Sequence, residues 1–569
     1  MADNEQMSLE FMERKTIKGY PELHWTGKRP YKSTVYYPAQ LKEVYGEPKN
    51  DWMNKIYWGD NLQVMSHLLK DYRGKIDLIY IDPPFDSKAD YKKRIKLRGQ
   101  SVESDQSTFE EKQYGDIWTN DEYLQFMYER LILCRDLLSD TGCIYLHCDW
   151  HKSHYLRAVL DEVFGPNNFC NEIVWCYKSG GAGDGCYAKK HDTLLYYKKT
   201  GKVTFNAIKE KSYMFPWSGE NPAQTYYKDD KGRYTLVAVK DYWTDIGMIA
   251  TSSYERAGYP TQKPEALLER IVRVSSNPGD IVFDCFMGSG TTQAVAMKLG
   301  RRFIGADINL GAIQTTTKRL LNVASELNSQ IDGGDKYTGF EVYNVNNYDL
   351  FRNPVEARDL ILQAMEVQPF ESSNVYDGEK DGRMVKIMPV NRIATKADLQ
   401  GILSNLPYKQ FERIKEENPG TVVLKLTLVC MGHESDLAAA LKQELSQYKT
   451  DIDVVDILHD RADLQFKRDS EADIVIEGNE LVIKNFYPLN LMQKLSLDKE
   501  TVDEWRQLVE SVMIDFNYDG AVMQPTTIDL PDKDKMVAGR YKIPSDAGII
   551  RVKITDVLSE SLEVEVQNG

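Results

Sequence analysis

The chain contains 569 residues, of which 42% are hydrophobic, and its formal net charge at pH 7 is −15. This length predicts two or more domains with sizeable cores, and no apolar run approaches the roughly 20 residues of a membrane-spanning helix, which excludes a membrane protein. The eight cysteines lack Cys-x-x-Cys spacing and the polar N-terminus lacks a signal sequence. We therefore expect a cytoplasmic protein without disulfide bonds.

Strands and helices alternate along the first half of the chain. Residues 1–50 are polar and rich in aromatic side chains, and we expect them to wrap the first domain. The hydrophobic pattern then predicts strand 55–58, helix 61–71, strand 76–81, helix 121–138, strand 143–148 and helix 152–163. A long loop is expected up to about residue 118, and the alternation resumes after residue 264. This pattern predicts the α/β class, with a doubly wound parallel sheet.

The strand 76–81 runs into the sequence Asp82-Pro83-Pro84-Phe85. The two prolines fix φ and remove backbone donors, so the Asp82 carboxylate and the Pro83 carbonyl can both accept hydrogen bonds from one amino group. The ring of Phe85 can stack on the flat group that carries this amine. Such a site suits a planar exocyclic amine, such as N6 of adenine or N4 of cytosine.

A second motif begins with an apolar strand that ends at Asp284 and continues through Phe286, Gly288 and Gly290 into a helix. The next strand ends at Asp307. A glycine turn between strand and helix, with an acid after the following strand, is typical of nucleotide-binding βαβ units. Asp307 is placed to bind both ribose hydroxyls, and the lack of a Gly-Lys-Ser/Thr sequence after the turn excludes a P-loop.

Together, the two motifs resemble those of the S-adenosylmethionine-dependent amino-methyltransferases of DNA. Phe286, Gly288 and Gly290 match the Phe-x-Gly-x-Gly cofactor turn of that family, and residues 82–85 match its (Asp/Asn/Ser)-Pro-Pro-(Tyr/Phe) catalytic motif. The catalytic motif precedes the cofactor motif, as in the β class, which includes the type III restriction-modification methylase subunits. The resemblance covers residues 50 to 320 and implies a Rossmann-like methyltransferase domain at 51–330 with S-adenosylmethionine as cofactor.

The resemblance also implies roles for individual residues. Asp60 is expected near the cofactor adenine, and Lys263 is expected to pair with the cofactor carboxylate at the methionine end. The predicted catalytic residues are Asp82, Pro83, Pro84 and Phe85. The predicted cofactor-binding residues are Asp60, Lys263, Pro264, Asp284, Phe286, Gly288, Gly290, Thr291, Thr292 and Asp307.

Residues 170–255 interrupt the alternation at the place where the β class keeps its target-recognition region. A basic stretch at 88–98 follows the catalytic motif; a clamp on the DNA backbone and a solvated charged loop both fit this stretch. The predicted contacts to double-stranded DNA are Lys92, Lys93, Arg94, Lys178, Lys189 and Lys190.

The sequence between His147 and His154 also fits a zinc cluster, but we predict no metal site. His147 and Cys148 point to opposite faces of a strand, and Asp149 is well placed as the N-cap of the next helix. The methyl transfer that the resemblance implies does not need a metal.

The sequence of the C-terminal half predicts a smaller α/β region at 335–500 and a β-rich unit at 505–569. Neither contains a catalytic constellation, a helicase motif or a nuclease signature. We expect binding of a restriction or defence-system subunit, dimerisation or DNA positioning in this half. A homodimer is expected because β-class enzymes often pair.

In this family, enzymes whose catalytic motif begins with Asp mostly modify adenine N6. The sequence therefore predicts a site-specific DNA methyltransferase that modifies adenine N6, in a restriction-modification or related defence system. The alternatives are a cytosine-N4 DNA methyltransferase, a DNA-recognition subunit without catalysis, and a methyltransferase of protein or RNA amides. Phe85 in place of the commoner tyrosine removes a hydroxyl but keeps the stacking face.

Overall fold

The computed structural model describes most of the chain, with gaps at the N-terminus and in several connecting segments. Apart from isolated positions, the described residues are 8–10, 21–84, 90–96, 108–115, 120–177, 187–213, 225–249, 261–329, 336–345, 367–370, 376–389, 396–418, 420–430, 437–456, 470–489, 504–532, 535–558 and 560–567. Within this part of the chain, no helix is long and apolar enough to cross a membrane.

The described residues form a central sheet of ten strands. Their order is Tyr242–Trp243, Phe169–Cys176, His191–Lys198, Leu138–Cys148, Ile76–Ile81, Ile281–Asp284, Arg302–Asp307, Asn54–Trp58, Phe340–Asn344 and Gln40–Tyr45. The strands from Leu138–Cys148 to Phe340–Asn344 in this order run parallel, whereas His191–Lys198 and Gln40–Tyr45 pair antiparallel with them. The predicted α/β class and doubly wound sheet are confirmed, and the flanking strands make the sheet mixed.

Helices cover both faces of this sheet, because its strands are apolar on both sides. Ile79 and Ile81 belong to one hydrophobic cluster, and Leu78 and Tyr80 belong to the other. The first cluster includes residues of helices Asn61–Tyr72, Asn120–Leu137 and Ser153–Phe164. The second includes residues of helices Glu265–Ser275, Thr291–Lys298 and Leu310–Asn328.

Two local predictions are wrong. The segment predicted as a long loop up to about residue 118 contains an antiparallel hairpin of strands Asp90–Lys96 and Thr108–Gly115. Asp149 does not cap the next helix, because the turn runs on and Lys152 takes the N-cap position of helix Ser153–Phe164. Oδ1 of Asp149 instead accepts a hydrogen bond from the His151 N–H at 2.9 Å.

Several smaller sheets surround or follow the central sheet. Two of them are the pair Ser8–Glu10 and Ser33–Val35, and the antiparallel sheet of Lys209–Tyr213, Gly232–Ala238 and Tyr226–Asp229 in the predicted target-recognition region. A five-stranded sheet contains Gln368–Pro369, Gly378–Lys380, Arg383–Ile387, Leu424–Cys430 and Thr450–Asp456. It is accompanied by helices Leu399–Ser404, Tyr408–Glu417 and Leu437–Glu444.

The C-terminal β-rich unit consists of two sheets that share one hydrophobic cluster. One sheet contains Glu471–Glu477, Glu480–Tyr487 and Arg540–Lys542, and the other contains Thr527–Asp529, Val509–Asp515, Ile549–Asp556 and Ser561–Gln567. The first two strands thus share the core of the C-terminal strands, although the sequence predicted them within the α/β region. Short 3₁₀ helices occur at Pro166–Asn168, Lys396–Asp398 and Trp505–Leu508.

The β-rich unit is joined to one edge of the central sheet. The N–H of Val44 donates to the carbonyl of Met523 at 3.0 Å, and the N–H of Met523 donates to the carbonyl of Lys42 at the same distance. Beside this bridge, the buried ammonium of Lys553 forms an ion pair with the buried carboxylate of Glu43. The edge strand Gln40–Tyr45 is therefore partly covered by the chain's own C-terminal unit.

We predict that this ion pair holds the unit on the sheet. Lys553→Met removes one partner and leaves the Glu43 carboxylate buried without its counter-charge. This change is expected to lower the free energy of unfolding by about 3–5 kcal/mol, measured by urea denaturation. The double variant Glu43→Gln/Lys553→Met is expected to recover most of the loss, and a single variant as stable as the wild type would contradict the prediction.

Candidate active site

Three carboxylates lie at the carboxyl edge of the central sheet, at the ends of neighbouring parallel strands. Asp82 follows the strand Ile76–Ile81, Asp284 ends the adjacent strand, and Asp307 ends the strand beyond it. In open α/β sheets, ligands bind in the crevice outside this edge. The two motifs predicted from the sequence therefore come together in one place.

The Asp82 carboxylate has one paired and one unpaired oxygen. Oδ2 accepts a hydrogen bond from Nζ of Lys263 at 2.6 Å, and the two side chains are only 17% and 12% exposed. Oδ1 is buried and has no hydrogen-bond partner among the described residues. Because buried polar atoms are almost always paired, this orphaned acceptor, next to the buried Pro83, is the kind of atom that a ligand donor satisfies.

Lys263 reaches Asp82 from a tightly constrained turn. Thr261 has a φ of +63°, which is strained for a β-branched residue. Pro264 immediately precedes the helix Glu265–Ser275, and the Lys263 carbonyl accepts a hydrogen bond from the Thr291 hydroxyl at 3.3 Å. The lysine expected at the cofactor carboxylate is thus paired with Asp82, the carboxylate predicted to be catalytic.

The glycine turn needs residues without a side chain. Gly288 and Gly290 have φ values of +52° and +70°, a region that favours glycine. A Cβ atom on Gly290 would lie 2.5 Å from Cγ2 of Thr316, because the helix Leu310–Asn328 packs closely here. The backbone conformation therefore favours glycine at both positions, and the packing of this helix leaves no room for a side chain at Gly290.

The buried carboxylate of Asp284 accepts hydrogen bonds from residues of this turn. Oδ2 accepts a hydrogen bond from the Thr292 hydroxyl at 2.6 Å, and Oδ1 accepts one from the N–H of Phe286 at 3.0 Å. Burial raises the pKa of Asp284 to about 7. Asp284, Thr291 and Thr292 are all buried. Their side chains therefore stabilise the conformation of the turn.

Asp307 lies directly against the glycine turn. Its Oδ2 accepts a hydrogen bond from the N–H of Gly288 at 2.8 Å, and its Oδ1 accepts one from the N–H of Asn309 at 2.9 Å. Burial raises the pKa of Asp307 to about 6, although these backbone donors oppose the rise. Each oxygen keeps a lone pair for a further donor, as the binding of ribose hydroxyls requires.

Asp60 is fixed by a buried arginine. Oδ1 of Asp60 caps the helix Asn61–Tyr72 by accepting the N–H of Leu62 at 2.9 Å, and Oδ2 lies 3.1 Å from Nη2 of Arg130. The guanidinium of Arg130 stacks 3.4 Å above the centre of the Phe126 ring. Phe126 in turn lies 6.1 Å from the ring of Phe286, which links Asp60 to the glycine turn.

Comparison with known proteins agrees with this geometry. The family model for DNA methylases matches residues 76–318. The DNA adenine methyltransferase YhdJ of Escherichia coli (strain K12) is 30% identical over 285 residues, which cover 48% of this chain and 85% of YhdJ. This chain belongs to the DNA methylase family.

Two further relatives differ in how much of their length this methylase covers. The type II methyltransferase M.HpaI of Haemophilus parainfluenzae is 31% identical over 43% of the chain and 68% of its own length. The StyLTI Mod subunit, a type III restriction-modification enzyme of Salmonella typhimurium, is 25% identical over 47% of the chain and 53% of its own length.

The methylase structure brings most of the predicted site together. Asp82, Pro83, Lys263, Pro264 and the residues of the glycine turn with Asp307 lie at one edge of the sheet. Phe85 and Lys178, and the side chains of Lys92, Lys93 and Arg94, lie outside the described residues. Nζ of Lys189 lies 3.2 Å from the centre of the exposed Trp150 ring, near the same edge.

Two side chains that support the methylase site, Arg130 and His147, were not predicted from the sequence. Arg130 is a lone cation between the apolar positions Met127 and Leu131, and this placement was the only signal that it is buried. His147 hydrogen-bonds through Nδ1 to the Tyr80 hydroxyl at 2.8 Å and through Nε2 to Asp192 at 3.1 Å. Both ring nitrogens are therefore engaged by protein groups beside the strand that carries Asp82.

We predict that the Thr292 hydroxyl stabilises the turn through Asp284. Thr292→Val keeps the shape of the side chain but removes the donor from a buried carboxylate, and it is expected to cost about 1–3 kcal/mol of unfolding free energy. Thr292→Ser keeps the hydroxyl and is expected to cost less. Urea denaturation of the two variants checks this, and an equal loss in both would contradict it.

Proposed function

We propose that this DNA methylase transfers the methyl group of S-adenosylmethionine to N6 of adenine at specific sites in double-stranded DNA. The observation that carries the proposal is the buried, unpaired Oδ1 of Asp82 beside Pro83, at the end of the strand next to the glycine turn. The similarity to YhdJ, which is named as a DNA adenine methyltransferase, supports adenine over cytosine. Cytosine N4 is the second outcome of the same test.

The residues present fit the cofactor. We propose that the backbone of the turn at Gly288 and Gly290 contacts the cofactor, that Asp307 accepts the ribose hydroxyls, and that Asp60 and Phe286 lie at the adenine end; the φ values of the turn and the partly exposed Asp307 carboxylate support this. S-adenosylmethionine supplies an electrophilic methyl group on a sulfonium. The chain itself must therefore supply the target amine in a reactive form.

Asp82 and Pro83 act on the target amine. An exocyclic amine is a poor nucleophile because its lone pair is delocalised into the ring. When Oδ1 of Asp82 and the Pro83 carbonyl accept its two N–H groups, the nitrogen becomes pyramidal and its lone pair is freed. Positioning of this kind contributes a large part of catalysis in group transfer.

The target base must leave the duplex, which costs a few kcal/mol. Stacking on Phe85 is proposed to return about 1–3 kcal/mol. Phosphate contacts are proposed for Lys92, Lys93, Arg94, Lys178, Lys189 and Lys190. The position of Lys189 over Trp150, at the edge that carries Asp82, supports its place in this set.

The cellular setting is proposed from the relatives and the substrate. The similarity to a type III Mod subunit supports a restriction-modification or related defence system. A partner subunit is proposed to bind the C-terminal half, and a homodimer is proposed as the assembly. We place the enzyme in the cytoplasm, where its DNA substrate lies.

We predict that Asp82→Ala lowers kcat by on the order of 10²-fold or more, the scale for one positioned polar group. Its affinity for S-adenosylmethionine should stay close to that of the wild type, because Asp82 acts on the amine. Single-molecule sequencing of DNA from cells expressing either protein measures the methylation. N6-methyladenine at one motif, absent with the variant, is the expected result.

Three other outcomes of the same measurement would contradict the proposal in whole or in part. N4-methylcytosine would keep the mechanism and overturn the choice of base. Methylation by the Asp82→Ala variant at the wild-type rate would overturn the role of Asp82. No modification with either protein would overturn the proposed function.

We predict that cofactor binding weakens in acid through Asp307. Its pKa of about 6 means that the carboxylate is protonated as the pH falls below 6 and then loses acceptor capacity for the ribose. Affinity for S-adenosylmethionine, measured calorimetrically, is expected to be about tenfold weaker at pH 5 than at pH 7.5. Asp307→Asn keeps Asp284, so the pH dependence that this variant loses belongs to Asp307; parallel profiles would refute the assignment.

A further inference from the structure

We infer that Lys263 is a positioning residue for methyl transfer: its ammonium holds the Asp82 carboxylate so that Oδ1 is the acceptor left for the target amine. This role differs from the expected contact with the cofactor carboxylate. The inference rests on the proposed function, because it assigns how Asp82 is made ready for the amine.

The first support is the contact itself. Nζ of Lys263 lies 2.6 Å from Oδ2 of Asp82, and the side chains are 12% and 17% exposed. An exposed ion pair is weak because water screens it, whereas an enclosed pair interacts more strongly. The free carboxylate of an aspartate can rotate and exchange its oxygens. With Oδ2 engaged, the two oxygens differ, and Oδ1 is the one without a partner.

The second support is the way in which the Lys263 backbone is held. Thr261, two residues earlier, has a φ of +63°, and Pro264 has its own φ fixed by its ring. The Lys263 carbonyl accepts the Thr291 hydroxyl at 3.3 Å, and Nη1 of Arg319 donates to the same hydroxyl oxygen at 2.9 Å. Backbone strain of this kind persists where the surrounding contacts maintain it.

The third support is the link to the cofactor turn. Arg319 also donates to Oε1 of Glu265 at 2.8 Å, and Lys298 donates to Oε2 at 2.8 Å. Glu265 and Lys298 belong to the two helices that follow Lys263 and the glycine turn, respectively. The position of the Lys263 ammonium is therefore determined by the same contacts that place the turn.

Binding of the cofactor carboxylate and orientation of Asp82 are two different roles for Lys263, and they predict different effects of its removal. A ligand of the cofactor carboxylate stabilises the bound cofactor, so its removal raises the dissociation constant of S-adenosylmethionine. A residue that orients Asp82 acts on the amine, so its removal lowers the rate at saturating cofactor. Affinity and saturated rate are separate measurements, and affinity needs no turnover.

The experiment uses the full chain with Lys263→Met and Lys263→Arg. Lys55→Met is the matched control, because Nζ of Lys55 also lies 2.6 Å from a carboxylate oxygen, of Glu341, with exposures of 18% and 17%. The affinity for S-adenosylmethionine is measured by calorimetry, and the single-turnover methylation rate is measured on unmethylated plasmid DNA at saturating cofactor.

Lys263→Met is expected to lower the single-turnover rate by on the order of 10²-fold while the dissociation constant changes by less than about threefold. Lys263→Arg keeps a cation that can reach the carboxylate and is expected to recover part of the rate. Lys55→Met is expected to match the wild type in both measurements. A rise of the dissociation constant of about tenfold in Lys263→Met, with an unchanged saturated rate, would overturn the inference.

A double variant separates positioning from a general loss of structure. If Lys263 acts through Asp82, Asp82→Asn/Lys263→Met is expected to be no slower than Asp82→Asn alone. Losses that multiply in a double variant that unfolds at the same urea concentration as the wild type would overturn the inference. A wild-type protein that methylates no DNA would instead overturn the proposed function on which the inference rests.

Discussion

The parallel pairing of the strands Ile76–Ile81 and Ile281–Asp284 is the constraint on which the rest of the structure depends. Leu78 pairs with Val282 and Ile79 with Phe283, which joins two segments that lie far apart in the sequence. Because both strands are covered on both faces, their side chains must be apolar, and polar groups are confined to the strand ends. The pairing therefore determines where the catalytic and cofactor motifs meet.

The three carboxylates at this edge differ in how completely their hydrogen bonds are satisfied. Asp284 is buried and accepts hydrogen bonds from a hydroxyl and a backbone N–H of the turn, so it stabilises the turn. Asp307 accepts one backbone N–H on each oxygen and retains capacity for a ligand. Asp82 has one oxygen bound by Lys263 and one buried oxygen unpaired. The number of donors does not distinguish Asp284 from Asp307, because each accepts one on each oxygen; Asp284 is buried, whereas Asp307 is partly exposed and can be reached by a ligand.

The fold and the motifs could be predicted because local pattern determines them. The strand 76–81 was predicted with the bounds that the structure has, since an apolar run is a pattern of neighbours in sequence. The pairing of Lys263 with Asp82 and of Arg130 with Asp60 depends on distant segments, so no sequence spacing revealed it. The prediction of Asp149 as an N-cap was wrong because a short polar side chain that can cap a helix can equally accept a backbone N–H in the turn before it.

The contact of the C-terminal unit with the sheet limits where a partner can bind. Gln40–Tyr45 is the edge strand, and the chain's own Met523 already exchanges backbone hydrogen bonds with Lys42 and Val44. The adjacent ion pair of Glu43 with Lys553 is buried, and breaking it would leave both charges without a partner. A second subunit cannot add a strand at this position without displacing that unit. The proposed partner of the C-terminal half must therefore bind without adding a strand to this edge.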